Sequence, residues 1–242
     1  MAVEVSEARL SYTGRVLFND LSITLAAGVF TCLLGPSGVG KTTLLRLIAG
    51  LAPEGATATV SCGDGRPIGG RIAYMAQQDL LLPWLSVLDN VLIGARLRGE
   101  PRDEARALRL IEAVGLKANA HDRPALLSGG MRQRAAVART LMEDRPVVLM
   151  DEPFSALDAI TRLRLQNLAA ELLKDRTALL VTHDPLEALR IGHRIYVMAG
   201  APARLDLALE PPGQPPREPG DPALLALHAE LLARLSRVPE AA

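Results

Sequence analysis

The sequence predicts an α/β fold in which helices cover a mostly parallel sheet. The prediction depends on three apolar runs, 29–35, 146–153 and 177–183, which have the composition of buried strands. Each run is followed by a segment with helical spacing, and strands that alternate with helices form largely parallel sheets. A chain of 242 residues is long enough for one large α/β domain or two small ones.

The remaining elements follow from the same periodicities. Residues 3–10 and 20–26 alternate apolar and polar side chains, as half-buried strands do. The other predicted elements are, in chain order, a helix at 41–51, turns and short strands over 53–70, a strand at 71–77, helices over 86–117 with a break near 99–101, and helices at 128–144, 159–175 and 185–192, with a last strand at 193–200. The nearly all-helical interval of about 86–143 is expected to form its own lobe.

The C-terminal part differs in composition from the rest. Residues 211–222 contain six prolines and are expected to form a linker. Residues 223–242 are expected to form an amphipathic helix and a tail. Because the polar face of this helix is mixed rather than basic, we expect it to dock on its own domain or on a partner, not on a membrane. The expected division is therefore 1–210, 211–222 and 223–242.

Charge and composition exclude several classes of partner. Lys+Arg and Asp+Glu both number 27, and only 3% of residues are aromatic, so we expect no nucleic-acid partner. Cys32 and Cys62 fit no zinc or redox spacing, which indicates a reduced, cytosolic chain. No signal peptide is predicted, and no apolar run reaches the 18 residues that a membrane span needs.

The stretch "GPSGVGKT" at 35–42 has the pattern of a phosphate-binding loop and lies between a predicted strand and a predicted helix. Its members are Gly35, Pro36, Ser37, Gly38, Val39, Gly40, Lys41 and Thr42. Backbone N–H groups of the loop would surround the phosphates, and Lys41 would supply a positive charge to the β and γ groups. The Thr42 hydroxyl is placed for Mg²⁺, and Thr43 can add another phosphate contact.

Two acids end the apolar run "VVLMDEP". Asp151 would emerge at the carboxyl edge of the sheet, where α/β proteins bind ligands, and would hold Mg²⁺ directly or through water. Glu152 would then face the γ-phosphate and could act as general base toward the attacking water. The alternative is that Glu152 is an acidic cap for the helix that begins near 159.

Three further side chains are candidates for this edge. His183 ends the next strand and is expected to contact the γ-phosphate, whereas His121, His193 and His228 are expected to be structural. Gln77 follows the strand residues "RIAYMA" and would reach the metal or the water, with Gln78 as the rival. Tyr12 would either stack on adenine or pack in the core.

A second anion-binding pattern appears in "LLSGGMRQRAAVARTL" at 126–141. A hydroxyl and two glycines, Ser128, Gly129 and Gly130, directly precede a strong helical pattern, and helix N-termini of this kind bind anions. The chain already has a phosphate-binding loop at 35–42, so the ligand of this second pattern needs another explanation.

Taken together, "GPSGVGKTT", Gln77, "LSGGMRQR", "LMDEP", "SALD" and His183 resemble the nucleotide-binding subunit of an ABC transporter over about residues 3–200. The usual signature is "LSGGQ", and Met131 replaces its Gln. The resemblance implies a P-loop ATPase with a mostly parallel core sheet, an N-terminal antiparallel β subdomain and a helical subdomain. It also implies ATP and Mg²⁺ as ligands, Tyr12 as the adenine-stacking residue and Gln77 as the glutamine that senses the γ-phosphate.

The same resemblance explains the second anion-binding pattern. In this family two subunits meet head to tail, and Ser128, Gly129 and Gly130 would close over the ATP that Lys41 holds in the partner copy. The implied partners are a second copy of the chain, integral-membrane permease subunits and, indirectly, a periplasmic solute-binding protein. The implied location is the cytoplasmic face of the inner (plasma) membrane, where the chain would be held peripherally through the permease.

The segment "QQDLLLPWLSVLDNVLIGARLRG" at 77–99 resembles importers of the nitrate, sulfonate and taurine group, which includes importers of thiamine-precursor pyrimidines. Leu81, Leu82 and Trp84 lie in a stretch short of polar cover, which predicts a docking surface for the permease. Two other readings remain. One is an ABC ATPase without a transport role, for example in iron–sulfur assembly, DNA repair or translation. The other is a small-molecule kinase, which would leave "LSGGMRQR" and "SALD" unexplained.

Overall fold

A computed structural model, which describes residues 1–12 and 15–236, contains two sheets with helices packed around them. The larger sheet has six strands in the spatial order fifth, sixth, seventh, third, eighth and ninth along the chain. The smaller sheet has three antiparallel strands, with the first strand of the chain between the second and the fourth. Both sheets correspond to the predicted fold class.

The strands are β1 (Val3–Tyr12), β2 (Arg15–Leu25), β3 (Phe30–Leu34), β4 (Thr57–Cys62), β5 (Ile72–Met75), β6 (Val147–Asp151), β7 (Thr177–Val181), β8 (Arg194–Ala199) and β9 (Arg204–Leu205). The helices are α1 (Lys41–Ile48), α2 (Val87–Val91), α3 (Ile93–Arg98), α4 (Glu104–Ala113), α5 (Gly129–Met142), α6 (Ala159–Leu172), α7 (Pro185–Ile191) and α8 (Pro222–Ser236).

The central strands β3, β6 and β7 are buried along their whole length. This explains their continuous apolar sequences, since a parallel sheet covered on both faces has no polar side. In the larger sheet, neighbouring strands among β3, β5, β6, β7 and β8 are parallel, and β9 pairs antiparallel with β8. The carboxyl ends of β3, β6 and β7 therefore meet at one edge of the sheet.

The antiparallel sheet is longer than the sequence pattern predicts. Strand β2 begins at Arg15 and not near residue 20, and its pairing with β1 contains three register shifts. Each shift moves the following side chains to the other face, which interrupts the alternation that identifies a strand. The two-residue strand β9 was not predicted.

The helical interval contains α2 to α5. The loop just before α2 is held in place by Asn90 of α2, which is fully buried. The Asn90 side-chain oxygen accepts a hydrogen bond from Leu82 N–H at 2.8 Å, and its amide donates to the carbonyl of Ser86 at 2.9 Å. The expectation for this loop is wrong for Leu81, which packs in the core, while Trp84 is 66% exposed.

The segment 211–222, predicted to form a linker, is packed against the rest of the domain, and its last residue begins α8. Arg217 is buried there, and its five side-chain N–H bonds go to the carbonyls of Leu189, Gly192, Pro211, Pro212 and Gly213 at 2.7–3.0 Å. Two of these carbonyls lie at the C-terminal end of α7, where a positive charge is stabilising. The guanidinium therefore fastens the proline-rich segment onto the domain that contains α7.

Helix α8 docks on the same domain. Leu224 and Leu231 belong to the hydrophobic core that includes β3 and α7 side chains, so the C-terminal helix covers apolar surface of its own chain. Residues 237–242 of the predicted tail lie outside the described residues. Among the described helices, none combines the length and apolarity needed to cross a membrane.

Arg217→Ala should lower the free energy of unfolding by about 3 kcal/mol, because it leaves five buried or half-buried carbonyls without their donor. Urea denaturation of the purified chain measures the change. Arg164→Ala removes an exposed arginine of α6 and is the matched control, with an expected change below about 0.5 kcal/mol. Equal midpoints for the two variants would show that the Arg217 contacts do not hold the C-terminal segment.

Candidate active site

The loop between β3 and α1 has the backbone geometry of a phosphate-binding turn. Gly40 precedes α1 with φ of 111°, a conformation that L side chains rarely adopt. A Cβ atom on Gly40 would lie 2.7 Å from the ring of Phe18. The buried Phe18 side chain therefore packs directly against the loop at this glycine. Only glycine fits at this position, and the N-terminal N–H groups of α1 face the loop.

Lys41 lies inside the loop. Its Nζ donates hydrogen bonds to the carbonyls of Gly35 at 2.7 Å and Pro36 at 2.9 Å, and the residue is buried. Burial lowers the pKa of Lys41, while the nearby carboxylates of Glu152 and Asp151 act in the opposite direction. Val39 is also buried and packs in the core under the antiparallel sheet.

A cavity of about 270 Å³ lies above this loop. It is lined by Leu17, Ser37, Gly38, Gly40, Lys41, Thr42, Thr43, Gln77 and Glu152. The phosphate-loop candidates and two of the predicted catalytic residues therefore share one space. Gln78, the rival of Gln77, is not among the lining residues.

Asp151 is almost completely buried at the end of β6. Burial raises the pKa of its carboxyl, and a hydrogen bond from the Thr42 hydroxyl lowers it. Its Oδ2 has no hydrogen-bond partner in the described part of the chain. A buried carboxylate oxygen without a partner, next to a threonine hydroxyl at a phosphate-binding loop, fits a magnesium ligand set, since Mg²⁺ takes one or two carboxylates together with substrate phosphates.

Glu152 turns out of the sheet toward the cavity. Its φ is 48°, in the left-handed region, and its N–H donates to the carbonyl of Val181 at 2.9 Å. The Glu152 carboxylate lies 3.2 Å from Nδ1 of His183 and accepts a hydrogen bond from the Gln77 amide at 3.4 Å. The three candidate catalytic side chains are therefore in contact.

The alternative role of Glu152 as a helix cap is excluded. Asp158 is the N-cap of α6, and its carboxylate accepts a hydrogen bond from Thr161 N–H at 3.0 Å. His193 has the structural role that was expected, since its Nδ1 accepts a hydrogen bond from Phe30 N–H at 3.1 Å. Tyr12 ends β1, and its side chain, with the adenine contact predicted for it, lies outside the described residues.

Ser128, Gly129 and Gly130 form the N-terminus of α5. Ser128 is the N-cap, and its hydroxyl oxygen accepts a hydrogen bond from Met131 N–H at 3.2 Å. A Cβ atom on Gly130 would lie 3.2 Å from the carbonyl of Ala156, so the helix start packs closely on the "SALD" segment. None of the three residues lines the cavity over the phosphate-binding loop of the same chain.

Two functional contacts were missed by the sequence analysis. Leu17 lines the cavity, and Gln133 donates to the carbonyls of Glu152 at 3.2 Å and Pro153 at 3.1 Å. Gln133 lies within "LSGGMRQR", so the motif marked its position but not its partner. Leu17 could not be identified from the sequence, because an apolar residue in a strand is expected to pack in the hydrophobic core.

The comparison with known proteins decides the family. The family model of the ABC transporter matches residues 18–155, more than half of the chain. The chain belongs to the ABC transporter family. It is an ATP hydrolase of the ATP-binding cassette type, as the order of its motifs predicted.

Curated relatives cover nearly the whole chain. An uncharacterized ABC transporter ATP-binding protein of Haemophilus influenzae is 43% identical over 238 residues, which are 96% of this chain and 98% of the relative. The aliphatic sulfonates import ATP-binding protein SsuB 2 of Burkholderia cenocepacia is 42% identical, over 95% of this chain and 86% of its own length. The corresponding protein SsuB 1 of Rhodococcus jostii is 46% identical, over 91% and 88%. The resemblance to the sulfonate-containing importer group is thus confirmed.

Solved structures confirm the fold. The ATP-binding cassette MJ0796, in a dimeric post-hydrolysis state bound to ADP and Pi, superimposes with a TM-score of 0.77 at 27% identity. The match covers 87% of this chain and 99% of that one. A second dimeric structure of MJ0796 matches with the same TM-score.

Lys41→Ala should reduce ATP binding and hydrolysis by at least about 100-fold, because it removes the loop's only cationic side chain from a partly buried site. Titration with a fluorescent ATP analogue and a phosphate-release assay measure the two effects. Lys117→Ala is the control, since Lys117 is exposed and pairs with Glu112 on the surface. Unchanged turnover in folded Lys41→Ala would remove Lys41 from the phosphate site.

Proposed function

We propose that the chain is the ATP-hydrolysing subunit of an importer of a small solute, and that it works as a head-to-tail pair. The observation that carries the proposal is the separation of two anion-binding elements within one chain. The cavity over Lys41 is lined by the phosphate-binding loop, Gln77 and Glu152, and the helix start at Ser128 is elsewhere on the surface. A second copy can supply the missing side of the site.

The phosphate chain would be held by the loop. Backbone N–H groups between Gly35 and Gly40 would bind the phosphate oxygens, and Lys41 would exchange its carbonyl contacts for the β- and γ-phosphates. Ser37, Thr42 and Thr43 line the same cavity and add hydroxyl groups. The aromatic ring of Tyr12 would stack on adenine.

Mg²⁺ would be held by the Thr42 hydroxyl and by Asp151, whose Oδ2 lacks a partner in the described chain, with Gln77 at the open side. The ion would supply charge neutralisation for the phosphoryl group that is transferred. Burial, which raises the pKa of Asp151, leaves its carboxylate poorly solvated, and a bound cation would stabilise the charged form.

Glu152 would act as general base. Its carboxylate would accept a proton from the water that attacks the γ-phosphate, a role worth about 10²- to 10⁴-fold in rate. Gln77 and His183 contact its two oxygens at 3.4 and 3.2 Å, which fixes the direction of the carboxylate. His183 would hold Glu152 through Nδ1 and present its other ring nitrogen to the γ-phosphate.

The partner's α5 would close the site. The Ser128 oxygen accepts from its own helix, so its O–H remains a donor for a phosphate oxygen. Gly129 and Gly130 have no side chains to keep the backbone N–H groups from the ligand, and the 14-residue helix adds its positive end. The dimers of the MJ0796 cassette support this arrangement, one of them with ADP and Pi bound.

The transport role rests on the relatives and on one surface. Proteins named as aliphatic sulfonates import ATP-binding proteins are 42–46% identical over most of the chain, which favours a sulfonate as solute and disfavours a role outside transport. We infer that the permease docks at the helical lobe, about 86–143, through the loop just before it, which exposes Leu80 and Trp84. A periplasmic solute-binding protein would deliver the solute, and the chain would be peripheral on the cytoplasmic face of the inner membrane. Within the cassette, taken as residues 1–210, this lobe would be a subdomain of its own.

Glu152→Gln should bind MgATP normally, hydrolyse it at least about 100-fold more slowly and accumulate as a dimer, since the amide keeps the shape and cannot take the proton. Size-exclusion chromatography with and without MgATP shows the dimer, and phosphate release gives the rate. The control is Glu112→Gln, an exposed acid far from the cavity. Wild-type turnover in Glu152→Gln would make this acid structural.

The head-to-tail geometry can be tested by crosslinking Ser37→Cys to Ser128→Cys. Both native cysteines are buried, so the parent chain is the background control. A short bifunctional thiol reagent should give a dimer band on a denaturing gel with MgATP, in the Glu152→Gln background. The chain carrying both cysteines should form the band, and so should a mixture of the two single variants.

Each single variant by itself should give no such band, because every composite site needs one residue from each copy. A crosslink that forms only within one chain, or a band that ignores MgATP, would contradict the head-to-tail arrangement while leaving the ATPase assignment intact.

A further inference from the structure

A second cavity, of about 180 Å³, lies at the opposite edge of the parallel sheet from the ATP site. It is bounded by α4, the C-terminal end of α5, the start of β6 and the end of α6. Asp151 and the phosphate-binding loop are at the carboxyl edge of the sheet, whereas Val148, near the start of β6, lies in this cavity. The two sites are therefore separate.

Three guanidinium groups converge on this cavity from three parts of the chain, Arg106 on α4, Arg145 before β6 and Arg176 before β7. Asp144 is the one carboxylate among the lining residues, and it accepts a hydrogen bond from Arg176 at 2.6 Å and lies 3.7 Å from Arg106. The lining residues carry three positive charges and one negative charge, and the carboxylates of Glu100 and Glu143 lie just outside the lining, near Arg145.

Arg145 has donors to spare. Its nearest carboxylates, on Glu100 and Glu143, are both 3.9 Å away, beyond hydrogen-bonding distance. No side-chain hydrogen bond of Arg145 occurs within the described part of the chain, although its side chain is only 24% exposed. A partly exposed guanidinium that makes only these two loose ion pairs keeps N–H donors that can bind an oxyanion.

The floor of the cavity is apolar. Leu110, Leu141, Val148 and Leu173 line it, and all four are buried. A bare inorganic anion would pair with the arginines and leave uncovered the part of these side chains that faces the cavity. A hydrocarbon chain attached to the anion would cover it.

We propose that this cavity binds a small aliphatic oxyanion, with its sulfonate, phosphate or carboxylate head on Arg106, Arg145 and Arg176 and a chain of a few carbons on the leucine floor. The volume holds about six water molecules, which limits the ligand to about that many non-hydrogen atoms. The site differs from the ATP site in chemistry as well as place, since it uses arginine side chains and an apolar floor in place of backbone N–H groups and a lysine.

Isothermal titration calorimetry of the full chain with propane-1-sulfonate tests the proposal. Saturating MgADP keeps the probe out of the phosphate-binding loop, which also binds anions. Two extra buried methylenes should make propane-1-sulfonate bind about tenfold more tightly than methanesulfonate, since each is worth about 0.8 kcal/mol. Propylammonium, which has the opposite charge, should not bind.

Arg145→Ala should weaken propane-1-sulfonate by about tenfold or more, and Arg106→Gln, on a different element, gives an independent test. Arg109→Ala is the matched control, because Arg109 is exposed on the same helix as Arg106. The proposal is overturned by any of three results in folded protein: no saturable binding with MgADP present, equal affinity for methanesulfonate and propane-1-sulfonate, or affinity unchanged in both Arg145→Ala and Arg106→Gln.

Discussion

The hydrogen bond from Glu152 N–H to the carbonyl of Val181 is the contact on which the geometry of the site depends. It extends the β6–β7 pairing one residue beyond the Asp151–Val181 pair, and there the chain turns with φ of 48°. Successive residues of an extended strand point to opposite faces, and the left-handed turn changes this direction. As a result Asp151 lies beside Thr42, while Glu152 reaches Gln77 and His183.

A left-handed glutamate costs on the order of 1–3 kcal/mol, so the surrounding structure must hold it in place. Gln133 of α5 holds this conformation in place by donating to the carbonyls of Glu152 and Pro153.

Helix α5 also holds the segment that follows Gln77. Its Arg132 pairs with the Asp79 carboxylate at 3.1 Å, and its Arg139 donates to the backbone carbonyls of Asp79 and Leu80. One helix therefore carries Ser128 at its start and is fastened to the loops of both Glu152 and Gln77. A displacement of its N-terminus by a partner's nucleotide would be transmitted to the same two side chains of its own site.

Local chemistry made part of this structure predictable. A glycine-rich loop ending in Lys41 requires a particular backbone, and three all-apolar strands require a covered parallel sheet. The loop at 35–42 and the place of Asp151 at the end of β6 therefore follow from the sequence. The features that sequence analysis missed depend on tertiary contacts. The register shifts of β2 are invisible in a residue pattern, Leu81 is buried because Asn90 fixes its loop, and the proline-rich segment is held by one guanidinium that meets carbonyls from α7. The arginine-lined cavity is built from four elements that are far apart in sequence, which no spacing rule detects.

The formal net charge of the chain is zero, but the charges are distributed differently at the two edges of the parallel sheet. At the carboxyl edge, Asp151 and Glu152 lie close to Lys41, and this mixture of charges suits a complex of Mg²⁺ and phosphate, which itself carries charges of both signs. At the opposite edge, three arginines and one aspartate line the cavity, with Glu100 and Glu143 each 3.9 Å from Arg145, and this arrangement favours an anion without a metal. An inorganic or aliphatic anion that lacks a phosphate chain gains little from the backbone N–H groups of the loop, and a nucleotide is too large for a cavity of about 180 Å³. The two edges of one sheet therefore select different ligands by charge, size and donor geometry together, and occupation of one edge need not compete with the other.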